Sequence, residues 1–169
     1  MKTLPPPTDN DRIQHLFPFA QDVLAICDTL GIDPVLDGSL AVKAYTQDPS
    51  LAVKDVDLNC SEDEFSRLKR ALDEAGIFCE IQPWHVLQAR RDGMKVEFGA
   101  TEHWMHGVSG PYETLQFGNC AVRMVNRQAL RDLYQRGFDA TASNPDERDK
   151  HEKIASKLQA LDGIRTEGV

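Results

Sequence analysis

The sequence predicts an α/β (α+β) fold in which helices pack against a mixed, largely antiparallel sheet. Within the strand predicted over residues 54–60, residues 55–60 alternate strictly between polar and apolar side chains, which is the period of a half-buried strand. The dipeptides Asp92-Gly93 and Gly118-Asn119 each separate two strand-like runs, as the turns of β-hairpins do. Apolar residues recur at helical spacing over residues 11–30. Helices and strands are therefore interspersed, which is typical of a sheet covered by helices.

The helix boundaries are predicted from capping residues. Gly31 and Gly76 each end a helix, because glycine readily adopts the left-handed conformation found at helix C termini. Ser61 and Glu64 have the spacing of a capping box, and Asn126 is a favourable N-cap residue. Helices are accordingly expected over residues 11–30 after a turn near Pro18, 40–45, 61–75, 126–136 and 146–161, with a polar loop over 137–145.

The strands are expected to join these helices in one domain, because 169 residues are enough to enclose a single hydrophobic core. We expect an extended N-terminal tail over residues 1–10, which contain three consecutive prolines. The core of the domain is expected over residues 11–125, with C-terminal helices over residues 126–169 packed on it. Strands are predicted over residues 35–36, 54–60, 77–82, 86–91, 94–98, 112–117 and 120–125.

The composition limits the classes of function. The formal net charge of −8 does not favour nucleic acid as a partner, because surfaces that bind it concentrate Lys and Arg. No run approaches the roughly 18 to 20 apolar residues of a membrane span, and the first residues lack the apolar region of a signal peptide. We therefore expect a soluble, cytoplasmic protein without a membrane partner. Its four cysteines are widely spaced, which indicates reduced thiols rather than zinc ligands.

Two aspartates on one strand are the first candidate site. Asp55 and Asp57 project from the same side of the predicted strand and stand close together. A divalent cation relieves the repulsion between two such carboxylates, and Mg²⁺ is often bound by one or two of them together with the phosphates of a substrate. By itself, however, this pattern is more often a solvent-exposed strand face.

Two further features strengthen the case for a site. Gly38-Ser39 lies at the start of a helix, where free backbone N–H groups attract phosphate and glycine allows close approach. Glu97 lies on the polar face of the strand over residues 94–98, beside Lys95 on the same face. A third carboxylate there can complete a metal site or accept a proton from an attacking hydroxyl.

The segments Asp37-Gly38-Ser39, Asp55-Val56-Asp57-Leu58 and Val96-Glu97-Phe98 resemble the signature of the DNA polymerase beta-like nucleotidyltransferase superfamily, in particular its small, minimal-domain members. The spacer over residues 40–54 is longer than is usual in that superfamily, which indicates an extra loop.

The resemblance implies transfer of a nucleoside monophosphate from an NTP to an acceptor, with two Mg²⁺ ions. It makes Asp55, Asp57 and Glu97 the catalytic, metal-binding carboxylates. It also makes Gly38 and Ser39 the phosphate-binding turn, and Lys150 of the last helix a candidate contact for the triphosphate.

The sequence leaves the acceptor open between a small molecule, a tRNA end and a protein side chain, and it does not predict the oligomeric state. A non-catalytic nucleotide- or partner-binding module of the same fold, such as a toxin-antitoxin component, is the alternative function. His103 and His106 have metal-ligand spacing, but a surface loop or short helix is the simpler interpretation. His85 beside Trp84 can line a base pocket or simply occupy a turn.

Overall fold

The computed structural model describes residues 1–8 and 13–164. Residues 9–12 of the predicted tail and first helix, and residues 165–169, lie outside the described part. The strands are β1 (Lys2–Thr3), β2 (Val35–Asp37), β3 (Asp55–Cys60), β4 (Phe78–Gln82), β5 (Val86–Arg91), β6 (Met94–Ala100), β7 (Glu113–Phe117) and β8 (Cys120–Met124). The α-helices are α1 (Ile13–Thr29), α2 (Gly38–Thr46), α3 (Phe65–Glu74), α4 (Thr101–Trp104), α5 (Arg127–Thr141) and α6 (Arg148–Asp162).

The eight strands of the described residues form one sheet in the order β1-β7-β8-β2-β3-β6-β5-β4. The pairs β1/β7, β2/β8 and β3/β6 are parallel, and the other four pairs are antiparallel. The predicted α/β class with a mixed, largely antiparallel sheet is therefore confirmed. Both predicted hairpins also form, with Asp92-Gly93 between β5 and β6 and Gly118-Asn119 between β7 and β8.

The two faces of the central strands differ in burial. Val56, Leu58, Val96 and Phe98 are buried and face the core, because alternate residues of a strand point to the same side. The helices α1 and α3 contact each other, and α1 also contacts β6. The opposite face of β3 and β6 carries polar side chains, and α2 contacts β3, α5 and α6. Polar side chains of the central strands are therefore gathered on one face of the sheet.

Several local predictions were wrong. The helix α1 continues through Pro18 instead of turning there, because residues on both sides of the proline, such as Leu16 and Phe19, are buried in the core. Residues 2 and 3 are extended as predicted for the tail, but they pair with β7 as an edge strand. Ser61 makes no side-chain capping hydrogen bond, and residues Glu62–Glu64 form a 3₁₀ turn.

The helix α5 also extends past its predicted end at residue 136 to Thr141, so Gly137 is helical rather than part of a loop. A Cβ atom on residue 137 would lie 3.3 Å from Cδ1 of Ile154. The glycine thus allows α6 to approach α5 closely. Among the helices of the described residues, none combines the length and the apolar character needed to cross a membrane.

Candidate active site

Three carboxylates form a row across the centre of the sheet. Asp37, the last residue of β2, is paired in register with Asp57 of β3, and Asp57 is paired with Glu97 of β6. Paired residues of neighbouring strands project to the same side, with the strands about 4.8 Å apart. Asp55 lies two residues before Asp57 and therefore on the same face. The structure thus brings the three sequence-predicted carboxylates together and adds Asp37 to them.

The turn at Gly38 lies directly against this row. Gly38 has a φ of +70°, and a Cβ atom on this residue would collide with the carboxylate of Asp57. Ser39 follows in the first turn of α2, and its side chain partly opposes the rise in the pKa of Tyr134 of α5 that burial causes. The predicted phosphate-binding turn is therefore next to the carboxylates, at the beginning of a helix.

Burial and mutual repulsion raise the pKa values of these carboxyl groups. The pKa of Asp57 is raised by its burial and then by the negative charges of Asp37, Glu97 and Asp55. The pKa of Asp37 is raised by burial, and a hydrogen bond from the Asn59 side chain partly opposes this effect. Burial also raises the pKa of Asp55. Because a raised pKa means that the ionised form is disfavoured, nearby positive charge does not fully compensate for the burial and mutual repulsion of these carboxylates.

Two lysines provide part of that positive charge. The Nζ atom of Lys95 lies 3.2 Å from Oε1 of Glu97 and 3.7 Å from Oδ2 of Asp55. Lys157 of α6 faces the same row: burial lowers its pKa, and the charges of Asp57 and Asp55 act in the opposite direction. One ammonium group thus lies on the β6 side of the carboxylates, and another approaches from α6.

Lys150, the predicted triphosphate contact, lies elsewhere on the surface. Its side chain is 67% exposed, and its Nζ atom is 3.9 Å from Oε1 of Glu147. Lys157 is two helical turns further along α6 and is partly buried near the carboxylates. The structure therefore points to Lys157 as the lysine of this helix that is close to the site.

The donor atoms of the site suit a hard cation that is shared with a substrate. Within residues 1–8 and 13–164, no group of three or more His, Cys, Asp and Glu side chains is arranged to hold a metal ion by itself. Mg²⁺ does not require such a group, because one or two carboxylates, water and substrate phosphates usually complete its shell. Asp55 and Asp57 supply two carboxylates whose pKa values are raised by burial and, to a smaller extent, by nearby negative charges, and a bound cation would favour their ionised forms.

Four residues of the site were not predicted from the sequence: Asp37, Asn59, Tyr134 and Lys157. Asn59 continues the alternation of Asp55 and Asp57, so the same pattern places it on that face. Asp37 is part of a recognised motif, but its neighbours depend on strand register. Tyr134 and Lys157 have no local signal, because the packing of α5 and α6 places them there.

The histidine motif at residues 103–106 contributes no metal cluster among the described residues. His103 lies in the short helix α4 and stacks on His85, with ring centroids 4.3 Å apart. His103 and His106 are both exposed, in agreement with the prediction of a surface segment.

Comparison with known proteins identifies relatives of this fold. The model of the aminoglycoside-2''-adenylyltransferase family matches residues 20–154, a range that includes the carboxylates and the Gly38-Ser39 turn. No curated protein sequence matches the chain significantly.

Three solved structures illustrate the shared fold. Lincosamide antibiotic adenylyltransferase LnuA with bound lincomycin superposes with a TM-score of 0.58 at 13% identity, covering 86% of this chain and 96% of that one. The enzyme ANT(2'')-Ia in complex with adenylyl-2''-tobramycin gives 0.50 at 11% identity, covering 85% and 92%. An antigenic nucleotidyltransferase-like protein from Paracoccidioides brasiliensis gives 0.57 at 16% identity, covering 92% and 77%.

Proposed function

Because the chain belongs to the aminoglycoside-2''-adenylyltransferase family and is thus a nucleotidyltransferase of the DNA polymerase beta-like superfamily, we propose that it transfers a nucleoside monophosphate from an NTP to an acceptor hydroxyl with the help of Mg²⁺. The row formed by Asp57 and Glu97, with Asp55 beside it and Gly38 packed against it, is the observation that carries this proposal. It combines carboxylates with a phosphate-binding turn on one face of the sheet.

In the proposed reaction, an oxygen of the acceptor attacks the α-phosphorus of the NTP. A bond forms between that oxygen and phosphorus, the bond to the bridging oxygen of the β-phosphate breaks, and pyrophosphate leaves with the bonding electrons. The acceptor proton passes to Glu97 or to water. Such reactions depend mainly on in-line positioning and on neutralisation of charge, and these are the two properties that this site offers.

Asp55 and Asp57 are the residues that would hold the metal ions, with Glu97 completing the site or accepting the proton. Two Mg²⁺ ions are expected from the superfamily, and when bound they would neutralise charge on the phosphates and orient the attacking and leaving oxygens. The geometry that supports this assignment is the pairing of Asp57 with Glu97 and the position of Asp55 on the same face.

Gly38 and Ser39 are proposed to bind the triphosphate through backbone N–H groups and the Ser39 hydroxyl. The first turn of α2 carries a positive partial charge that favours phosphate, and Gly38 leaves room for the Asp57 carboxylate beside it. Lys157, rather than Lys150, is proposed as the lysine that contacts the triphosphate, because it is the one that faces the carboxylates. Tyr134 of α5, whose pKa is affected by the Ser39 side chain, is proposed to position Ser39.

We propose ATP as the nucleotide and a small-molecule alcohol as the acceptor. Two of the structures that share this fold are named as antibiotic enzymes, one with bound lincomycin and one with adenylyl-2''-tobramycin. The net charge of −8 opposes a tRNA acceptor, because RNA-binding surfaces displace counterions with Lys and Arg. A protein acceptor is less well supported, and label transfer tests all three classes.

The test is incubation with each NTP radiolabelled at the α-phosphate, in the presence of Mg²⁺. Acceptors would be the protein itself, bulk tRNA, lincomycin and tobramycin, beside the double variant Asp55→Asn with Asp57→Asn. Wild type should release pyrophosphate and label an acceptor, and the double variant should do neither. A parallel thermal-shift measurement should find about 2.7 kcal/mol of stabilisation at 100 times the dissociation constant of the Mg²⁺–NTP complex.

Absence of label transfer and pyrophosphate release in every reaction, together with no Mg²⁺-dependent nucleotide binding, would overturn the proposal. It would instead support the non-catalytic module, in which the same face binds a partner. Nucleotide binding without transfer to any of the acceptors would retain the nucleotide site and exclude the acceptors on the panel.

A further inference from the structure

A group of aromatic side chains lies beside the carboxylates and has no part in the function proposed above. We call Trp104, His103 and His85 the aromatic wall. The imidazole rings of His85 and His103 stack with centroids 4.3 Å apart, and His103 meets the indole of Trp104 edge to face at 4.8 Å. Trp104 is 45% exposed, so a large apolar ring is open to solvent here.

The position of Trp104 on the sheet follows from Gly99. A Cβ atom on Gly99 would lie 3.2 Å from Cδ1 of Trp104 and 2.7 Å from Oδ1 of Asn59. Gly99 is paired with Asn59 and follows Glu97 by two residues on β6, so the indole lies over the same face as the carboxylates. Two residues along a strand span about 6.6 Å, which places the aromatic wall next to Glu97.

Hydrogen bonds from the indole nitrogen fix the orientation of the Trp104 ring. Its Nε1 atom donates to the backbone carbonyl oxygens of Trp84 and His85, each at 3.2 Å. The Nδ1 atom of His85 lies 2.9 Å from Oε1 of Glu62. Since the polar edge of Trp104 is satisfied by the protein, its exposed ring is available for stacking, and little side-chain freedom remains to be lost on binding.

The position of the aromatic wall relative to the carboxylates indicates which substrate it can contact. In an in-line displacement the attacking and leaving oxygens lie on opposite sides of phosphorus. The Gly38-Ser39 turn follows β2, and the strand order β2-β3-β6 puts Glu97 on the far side of Asp57 from that turn. With the triphosphate on the β2 side, the acceptor must approach from the β6 side, where Trp104 lies.

We propose that Trp104 is the specificity-determining residue for the acceptor, and that the acceptor presents its hydroxyl on a ring that stacks on this indole. This inference rests on the proposed function. Glu62 and Glu102 flank the wall: Glu62 contacts His85, and the Glu102 carboxylate accepts a hydrogen bond from the Glu62 N–H at 3.0 Å. Their negative charges favour an uncharged or cationic ring alcohol over the polyanionic end of a tRNA.

The chain has only two tryptophans, so the variant Trp84→Phe makes Trp104 the sole source of indole fluorescence. Lincomycin, tobramycin and bulk tRNA are titrated into this variant, with and without ATP and Mg²⁺. At least one of the two ring alcohols should change the Trp104 emission in a saturable manner. Bulk tRNA should not, and ATP with Mg²⁺ should not prevent the change.

Kinetics of label transfer supply the second readout. Trp104→Ala should raise KM for the ring acceptor by about tenfold or more, the effect expected for loss of one stacking contact, with KM for ATP changed less than about twofold. Trp104→Phe retains a ring and should recover most of the loss, which separates stacking from misfolding. Trp84→Ala is the matched control: Trp84 is 50% exposed but is not the ring over Gly99, and both KM values should stay within about twofold.

The proposal is overturned if neither ring alcohol changes the Trp104 emission, or if tRNA alone does. It is also overturned if Trp104→Ala leaves KM for the acceptor unchanged, or raises KM for ATP equally. If the proposed function itself is wrong, neither wild type nor any variant releases pyrophosphate. Saturable binding of a ring alcohol at Trp104 without any transfer and without Mg²⁺-dependent nucleotide binding would support the aromatic wall as a ligand site and reject the enzymatic proposal.

Discussion

Gly38 and Asp57 are packed so closely that a side chain on residue 38 and the carboxylate of residue 57 cannot occupy their positions together. The turn that begins α2 and the central strand β3 are thereby held against each other at the site. Glycine meets two requirements here, because the backbone of residue 38 also has a φ of +70°, which side chains disfavour.

Gly38→Ala should lower the free energy of unfolding more than Gly31→Ala does. Both glycines have a φ of +70°, but a methyl group on residue 31 would meet no atom of the described residues within 4 Å, so Gly31→Ala serves as the matched control. The backbone contribution is about 1–2 kcal/mol in both variants, and crowding against Asp57 adds about 1–3 kcal/mol only at residue 38. Urea denaturation measures the difference, and equal losses would show that the close contact is relieved at no cost.

Asp57→Asn should stabilise the protein in the absence of metal. Asparagine removes an acidic group whose ionisation is disfavoured first by burial and then by the charges of Asp37, Glu97 and Asp55, and we expect a gain of about 0.5–2 kcal/mol. At this chain length each kcal/mol corresponds to about 2–4 °C in Tm. Under the proposed function, wild type should gain in Tm with ATP and Mg²⁺, and the variant should lose that increase. Asp63→Asn, at an exposed residue of the 3₁₀ turn, should retain that increase, and a lower Tm for Asp57→Asn would contradict the electrostatic account.

The stability of the metal-free protein should fall as the pH rises from about 5 to 8. The pKa values of Asp37 and Asp57 are higher in the folded protein than in the unfolded chain. Above the ordinary aspartate pKa of about 4, the unfolded state releases protons that the folded state retains, which favours unfolding by up to about 1.4 kcal/mol per pH unit for each retained proton. Groups with lowered pKa values, such as Asp48 and Glu102, stabilise the folded state in this pH range and lose that stabilisation only as the pH falls further. Urea denaturation at several pH values should find a shallower decline for Asp57→Asn, and parallel curves would contradict the prediction.

Lys157→Met and Lys150→Met distinguish the two lysines of α6. Under the proposed function, Lys157→Met should raise KM for the NTP by about tenfold, since a hydrogen bond to a charged group contributes about 1.5–3 kcal/mol. Lys150→Met should change that KM by less than about twofold, because its side chain is 67% exposed beside Glu147. The reverse order of effects would support the contact predicted from the sequence.

Much of the site could be predicted because it lies on strands with strict alternation. The period of two fixes the common face of Asp55 and Asp57 within β3. The same pattern places Glu97 on the polar face of β6. The resemblance to the nucleotidyltransferase signature implies that Glu97 and the two aspartates belong to one site. The parallel register that pairs Asp57 with Glu97 depends on hydrogen bonds between distant segments, so it becomes visible only in the structure.

The helical part of the site could not be predicted in the same way. Lys150 and Lys157 lie seven residues apart, and therefore on nearly the same side of α6. The sequence does not reveal which turn of the helix lies over the sheet. That choice depends on the packing of α5 and α6, where Gly137 permits close approach to Ile154. The sequence predicts Gly137 to begin a polar loop, whereas this residue lies within α5 and affects the contact between two helices.

The row of carboxylates across β2, β3 and β6 bears on how this protein would respond to selection. A library of random variants screened only for resistance to heat is expected to accumulate neutral residues at positions 37 and 57, since burial and like charge disfavour ionised side chains there. The most heat-resistant members would then be the least active. Directed evolution of a robust variant should therefore screen for product formation in every round and draw its stabilising substitutions from the periphery of the fold.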